Sequence, residues 1–275
     1  MKKQRVLILA VLLMGAMSLS SCMKKDLFED DADITSASDH ASGDQASSDA
    51  LSMADAAAGG NADFRLASSA DVMTGCAVVT RDTVNRIITI DFGTGCTGNW
   101  DGRVRKGKII ITHTGGNYFD SLSVKTITFQ DYYVNDNHIE GTHVVTNNGR
   151  NSAGHYNWTV LAQNMKITAP DGQTHTFSST RNREMLSGDQ TPLNWRDDEY
   201  SITVSTDGVN RRGISYHAES SEPLHRSMSC RWIDSGKMII TPDDKPMRTV
   251  DYGNGTCDNI ATVTVRNRTF NITLK

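Results

Sequence analysis

The chain has 275 residues, 22% charged and 37% hydrophobic, enough for one sizeable domain or two small ones. Its net charge of −4 offers no footprint for nucleic acid, so no nucleic-acid partner is expected. The distribution says more: residues 1–25 carry five bases and no acid, residues 26–63 ten acids and no Lys or Arg, and the rest 23 bases against 22 acids.

Lys2, Lys3 and Arg5 precede an apolar run from Val6 to Met17, too short for a comfortable membrane span. A basic start and a short apolar stretch read as an export signal over 1–21. Leu19-Ser20-Ser21-Cys22 is similar to a bacterial lipobox, which is cut before its Cys. That resemblance implies that Cys22 becomes a lipidated N-terminus and that the partner is the membrane, through acyl chains such as palmitate. Each buried methylene adds about 0.8 kcal/mol to such an anchor. Met23 departs from the Asp of the enteric inner-membrane retention pattern. The bases and acids after Cys22 resemble the surface-export signals of Bacteroidetes lipoproteins, which implies an outer-membrane, surface-exposed location.

From Glu29 to about Asp71 the chain is rich in Ser, Ala, Asp and Gly. With little to bury and much like charge, residues 22–71 are expected to form a disordered tether, with at most two helical turns over 51–58. From Val72 the texture changes. Short runs rich in β-branched and aromatic residues recur, among them NRIITIDF, KIIITHT, SVKTITFQDYYV, THTFSSTRNREML and IATVTVRN. Asn135-Asp136-Asn137, Pro170-Asp171-Gly172, Asp207-Gly208, Ser235-Gly236 and Asn267 read as turns between them. Tyr156, Trp158, Val160 and Ala162 alternate, then Met165 and Ile167 shift phase, which predicts a bulge near Asn164. Residues 72–275 therefore read as an all-β domain: an antiparallel meander in a curved or partly closed sheet, with a sandwich as the alternative.

One corner is written twice. Asp91-Phe92-Gly93-Thr94-Gly95-Cys96 follows a strand pair opened by Cys76; Asp251-Tyr252-Gly253-Asn254-Gly255-Thr256-Cys257 follows a pair opened by Cys230. The glycines suit positive φ in a tight turn, the Asp suits backbone N–H groups, and the aromatic covers the turn. Four cysteines allow three connectivities. Export permits oxidation, and Cys76–Cys96 with Cys230–Cys257 is the favoured pairing.

Together the lipobox, the acidic spacer, the DFGTGC corner, the TITFQDYYVNDNHIEGTHVVTNNG segment and the closing DYGNGTCDNIATVTV segment resemble a family of uncharacterised Bacteroidetes lipoproteins. The similarity spans about 76 to 274 and implies a localisation and a fold, with no activity to transfer.

Catalytic motifs fail on inspection. Asp91-Phe92-Gly93 spells a kinase metal-binding tripeptide without the other kinase motifs, and in Gly102 to Ile109 an Ile replaces the Ser or Thr of a phosphate-binding loop. No catalytic residue, metal site or cofactor is assigned. His138 and Glu140 share a strand face that His143 does not. Arg103, Arg105, Lys106 and Lys108 form the densest basic cluster, suited to a lipid headgroup or an anionic glycan, or to guarding a strand edge. Thr83 in Asp-Thr-Val and Ser121 in Asp-Ser-Leu resemble the O-glycosylation sequon of Bacteroidetes exported proteins. The favoured function is a non-enzymatic interaction or structural module of the envelope, meeting a protein, glycan or lipid. A periplasmic carrier of an apolar ligand and an envelope-polymer enzyme are the alternatives.

Overall fold

Among the described residues, alternating β-branched residues separated by turn formers produce fourteen strands, paired antiparallel in chain order except that the second reaches past the short third to the fourth. The computed structural model describes residues 33–58, 75–99, 101–115, 120–191 and 194–274. All but Asp33 fall in a unit running from Ile34 to Lys275. The signal stretch, the lipobox and Cys22 lie outside the described residues. Among the described residues, the helix α1 (Thr35–Ala58) precedes the strands. These are β1 (Val78–Asp82), β2 (Ile87–Asp91), β3 (Cys96–Thr97), β4 (Val104–Thr114), β5 (Val124–Val134), β6 (Asn137–Arg150), β7 (Tyr156–Thr168), β8 (Thr174–Ser187), β9 (Glu199–Val209), β10 (Ser215–Ser227), β11 (Ser235–Pro242), β12 (Arg248–Asn254), β13 (Ile260–Val265) and β14 (Arg268–Thr273).

The sheet is a single meander, not a sandwich. β1 and β14 are its edges, and β3 adds only a short bridge to β4. It curls without closing. α1 touches β2, β4 and β5 on one side and β11 on the other. The Arg231 guanidinium, after β10, donates to the carbonyl of Asp101, before β4.

Inward residues follow the period of two. Ile88 and Ile90 on β2, Ile109 and Ile111 on β4, and Val250 and Tyr252 on β12 are all buried. The phase break at Asn164 is a bulge: the β7–β8 register shifts between Ala162 and Met165, and Asn164 has φ 50°. Asn135 and Asp136 both take positive φ in the β5–β6 hairpin. Two expected turns lie elsewhere. Asp207-Gly208 sits inside β9, where a Cβ on Gly208 would lie 2.6 Å from the Tyr216 ring. Ser235-Gly236 opens β11 at a register shift.

The tether expected over 22–71 contains α1, and this is the main correction to the sequence reading. Sixteen of the helix's 24 residues are buried. Ser, Asp and Gly make it a poor autonomous helix, so its order comes from the sheet around it. Small residues are what a surrounded helix needs. A Cβ on Gly43 would lie 2.7 Å from Cε1 of Phe177, so the backbone there packs directly against the β8 ring. The helix ends where Arg81 of β1 donates to the Ala57 carbonyl at 2.6 Å.

Candidate functional site

Four helix acids meet bases carried by the sheet and its loops. Asp39 accepts from the Arg211 backbone N–H at 2.8 Å and from its Nε at 2.6 Å. Asp44 pairs with Arg181 of β8. Asp49 accepts from Arg103 Nη1 at 3.1 Å, Arg105 Nε at 3.1 Å and the Tyr132 hydroxyl at 3.0 Å. Asp55 meets Arg183 of β8 at 3.3 Å. Asp101 also holds Arg105, which is 1% exposed.

Burial would raise the Asp49 carboxyl. The charge and hydrogen bonds of Arg105, with Arg103 and Tyr132, outweigh it and hold the pKa down to about 2. Lys125, pointing inward from β5, is pushed down to about 8 by burial, against the supporting charge of Asp55 and with Arg183 opposing it. His143 is wholly buried, and neither ring nitrogen has a hydrogen-bond partner among the described residues. Burial, reinforced by Arg181, drives it down to about 3.

The basic cluster at the start of β4 is therefore not one surface. Arg103 and Arg105 turn inward to α1. Lys106 and Lys108 turn outward, to Asp136 at 2.6 Å and Asp91 at 2.9 Å. Plain strand alternation separates them: Arg103 and Arg105 share the buried phase of Ile109 and Ile111, and Lys106 and Lys108 the outer one, while the register shift between Lys106 and Lys108 places its extra residue on β5.

The repeated corners match in detail. Asp91 Oδ1 accepts from the Gly93 N–H at 2.8 Å, and Asp251 Oδ1 from the Gly253 N–H at 2.9 Å. Gly93 and Gly253 take positive φ, as does Gly255, whereas Gly95 does not. Phe92 and Tyr252 are buried over the two turns. Cys76 bonds Cys96 and Cys230 bonds Cys257, each pair with Cα atoms 5.6 Å apart. The lysines beside the two Asp residues come from different sides: Lys108 follows its corner in the chain, and Lys237 precedes its own at 3.9 Å. The corner is what repeats, not the neighbourhood.

No family model, curated protein or solved structure matches this chain. Its chemistry is read from the geometry alone.

Beneath the last turns of α1 lies an open cavity of about 110 Å³. Leu51, Val145 and Val160 supply apolar wall, Trp158 and Tyr200 aromatic wall, and Lys125 and Arg183 the cations. Arg183 lies 3.6 Å over the Tyr200 ring. None of these residues stood out in the sequence as site residues. The available signal was Lys125, Arg181 and Arg183 standing in phase with Ile127 and Met185, on the buried faces of β5 and β8.

A wider, shallower cleft of about 440 Å³ opens over β8–β10. There the register runs Ser178, Asp207, His217 across adjacent strands, with His217 Nδ1 2.8 Å from Asp207. The acid stands between the hydroxyl and the imidazole, which are two strands and about 10 Å apart, so the His is not placed to take the Ser proton. His138 Nδ1 lies 3.7 Å from Glu140, and His143 points to the other face. Among the described residues no three His, Cys, Asp or Glu side chains converge to hold a metal ion. Thr83 and Ser121 are both exposed, in the turns before β2 and before β5.

Proposed function

We propose that the protein is a lipid-anchored envelope lipoprotein, held at the outer membrane through Cys22 and acting as a non-enzymatic interaction or structural module. On this reading it belongs with the Bacteroidetes lipoproteins it resembles in sequence. The observation that carries the module reading is the occupied interior: the curled face of the sheet is filled by the chain's own α1, held by four acid–base contacts. A permanently open carrier would instead present a large apolar hollow. That leaves the outer face and the edge strands β1 and β14 to meet a protein or glycan, with Thr83 and Ser121 as exposed candidates for glycan attachment. Protease shaving of intact cells followed by immunoblotting tests the placement. Loss of the mature band, the chain from Cys22 onward, from unbroken cells is expected. Protection until the outer membrane is opened would move the protein to the periplasmic side.

A further inference from the structure

The four acids of α1 are not held equally. The side chains of Asp39, Asp44 and Asp49 are 0–4% exposed, whereas that of Asp55 is 35% exposed. Asp55 also keeps the longest separation from its guanidinium, 3.3 Å. It stands at the cavity beneath the last turns of α1, whose cations are Lys125 and Arg183. The other acid on the lining, Asp189, is engaged at 3.0 Å by Arg150. Asp55 is thus the helix's counter-charge at that end, and the most accessible one to exchange.

We propose that this cavity binds a small monocarboxylate bearing a short apolar chain, with the ligand's carboxylate replacing Asp55 at Lys125 and Arg183. The apolar chain would lie against Val145, Val160 and Leu51, which offer no partner to a second polar group. Trp158 and Tyr200 form an aromatic wall beside it. The Arg183 guanidinium, stacked 3.6 Å over Tyr200, is pre-placed to meet a carboxylate. With about 110 Å³, against about 150 Å³ for a cavity that holds one benzene, the pocket encloses about four to five carbons, and the rest of an octyl chain leaves through its open side. Binding would loosen the C-terminal turn of α1 while Asp39, Asp44 and Asp49 keep the rest in place. The inference goes beyond the envelope module and does not depend on the anchor.

Isothermal titration of the full chain with octanoate, 1-octanol and octylammonium separates charge from chain. Octanoate is expected to bind saturably and at least about tenfold more tightly than octylammonium, the size of effect that one charge-assisted contact gives. Asp55→Asn, at a part-exposed position, should tighten octanoate several-fold by removing the competitor. Val160→Trp should abolish binding of all three by filling the cavity, and Lys125→Met should erase the preference for octanoate over octanol. Circular dichroism checks that each variant folds. Absence of saturable octanoate binding, equal affinity for octylammonium, or an Asp55→Asn variant that binds octanoate no better than the parent overturns the proposal, whatever becomes of Lys125→Met.

Discussion

Arg105 Nε lies 3.1 Å from Asp49 Oδ2, joining residues 56 apart in the chain, one on β4 and the other on a helix enclosed by the sheet. Each is nearly inaccessible: the Arg105 side chain is 1% exposed and that of Asp49 4%. Taking either charge out of water is costly, and the pair is tolerable because the guanidinium also reaches Asp101 and the carboxylate also accepts from Tyr132. Removing one partner is therefore worse than removing both. Asp49→Ala should destabilise the fold by about 3–5 kcal/mol, measured by urea unfolding, because Arg103 and Arg105 lose a shared counter-charge. The double change Asp49→Leu with Arg105→Met should cost clearly less than the single one. A loss below about 1 kcal/mol for Asp49→Ala would mean that α1 is not held by this contact.

Acid should act in two windows. His143 sits near pKa 3 in the fold against an ordinary 6.5, so the unfolded chain binds its proton first and stability falls as pH drops from about 6.5 toward 3. Asp49 sits near 2 against 3.8, and its contribution, fully present above 3.8, is lost as pH falls toward 2. His143→Leu removes an imidazole without hydrogen-bond partners among the described residues and should reduce the slope of the upper window, which His40, His113 and His175 share because burial lowers them too. It should also raise the melting temperature at pH 5 by a few degrees, since about 1 kcal/mol moves a domain of this size by roughly 2–4 °C. An unchanged slope between pH 6.5 and 5 would place the imidazole elsewhere than the interior.

The sheet was legible because its strands obey one rule. Ile109 and Ile111, or Phe177 and Met185, set a phase, and every other residue follows it. The two corners were legible because Asp-aromatic-Gly carries its own turn chemistry. α1 was not, for a physical reason: a helix wrapped by a sheet needs no apolar stripe, and its Ser, Ala, Gly and Asp compose like a solvated linker. Its partners are visible in the sequence as bases in the inward phase of the strands. Arg103, Arg105, Lys106 and Lys108 look like one basic surface when counted together, but strand alternation alone sends the odd-numbered arginines inward and the even-numbered lysines outward. Asp39, Asp44, Asp49 and Asp55 recur every five or six residues, and inward-phase bases on β4, β5 and β8 were the other half of that signal.

The close approach at Gly43 gives a sharper test of α1 than its charges do. Alanine there would improve helix propensity by about 1 kcal/mol, but its Cβ would press on the Phe177 ring, which is 5% exposed. A larger residue has no such compensation. Gly43→Leu should cost about 1–3 kcal/mol through overpacking, and pairing it with Phe177→Ala should recover part of that. If residues 35–58 were solvated, Gly43→Leu would be neutral or stabilising. Thermal melts of the single and double variants decide the point.

The corners yield the last prediction. Cys76–Cys96 spans 20 residues and Cys230–Cys257 spans 27. In the chain-entropy model each closure stabilises by about 3 kcal/mol, by restricting the unfolded chain. Replacing either pair by Ser should therefore lower stability by about that amount while leaving the other bond intact. The two losses should add, since the corners share no hydrogen-bond or ion-pair partner among those described. The local turns should survive reduction, because Asp91 and Asp251 still accept from the Gly93 and Gly253 amides. Peptide mapping under non-reducing conditions should recover Cys76 with Cys96 and Cys230 with Cys257. A peptide joining Cys96 to Cys230 would require the first strand pair and the β10–β11 loop to meet through their cysteines, and would overturn the account of why this corner occurs twice.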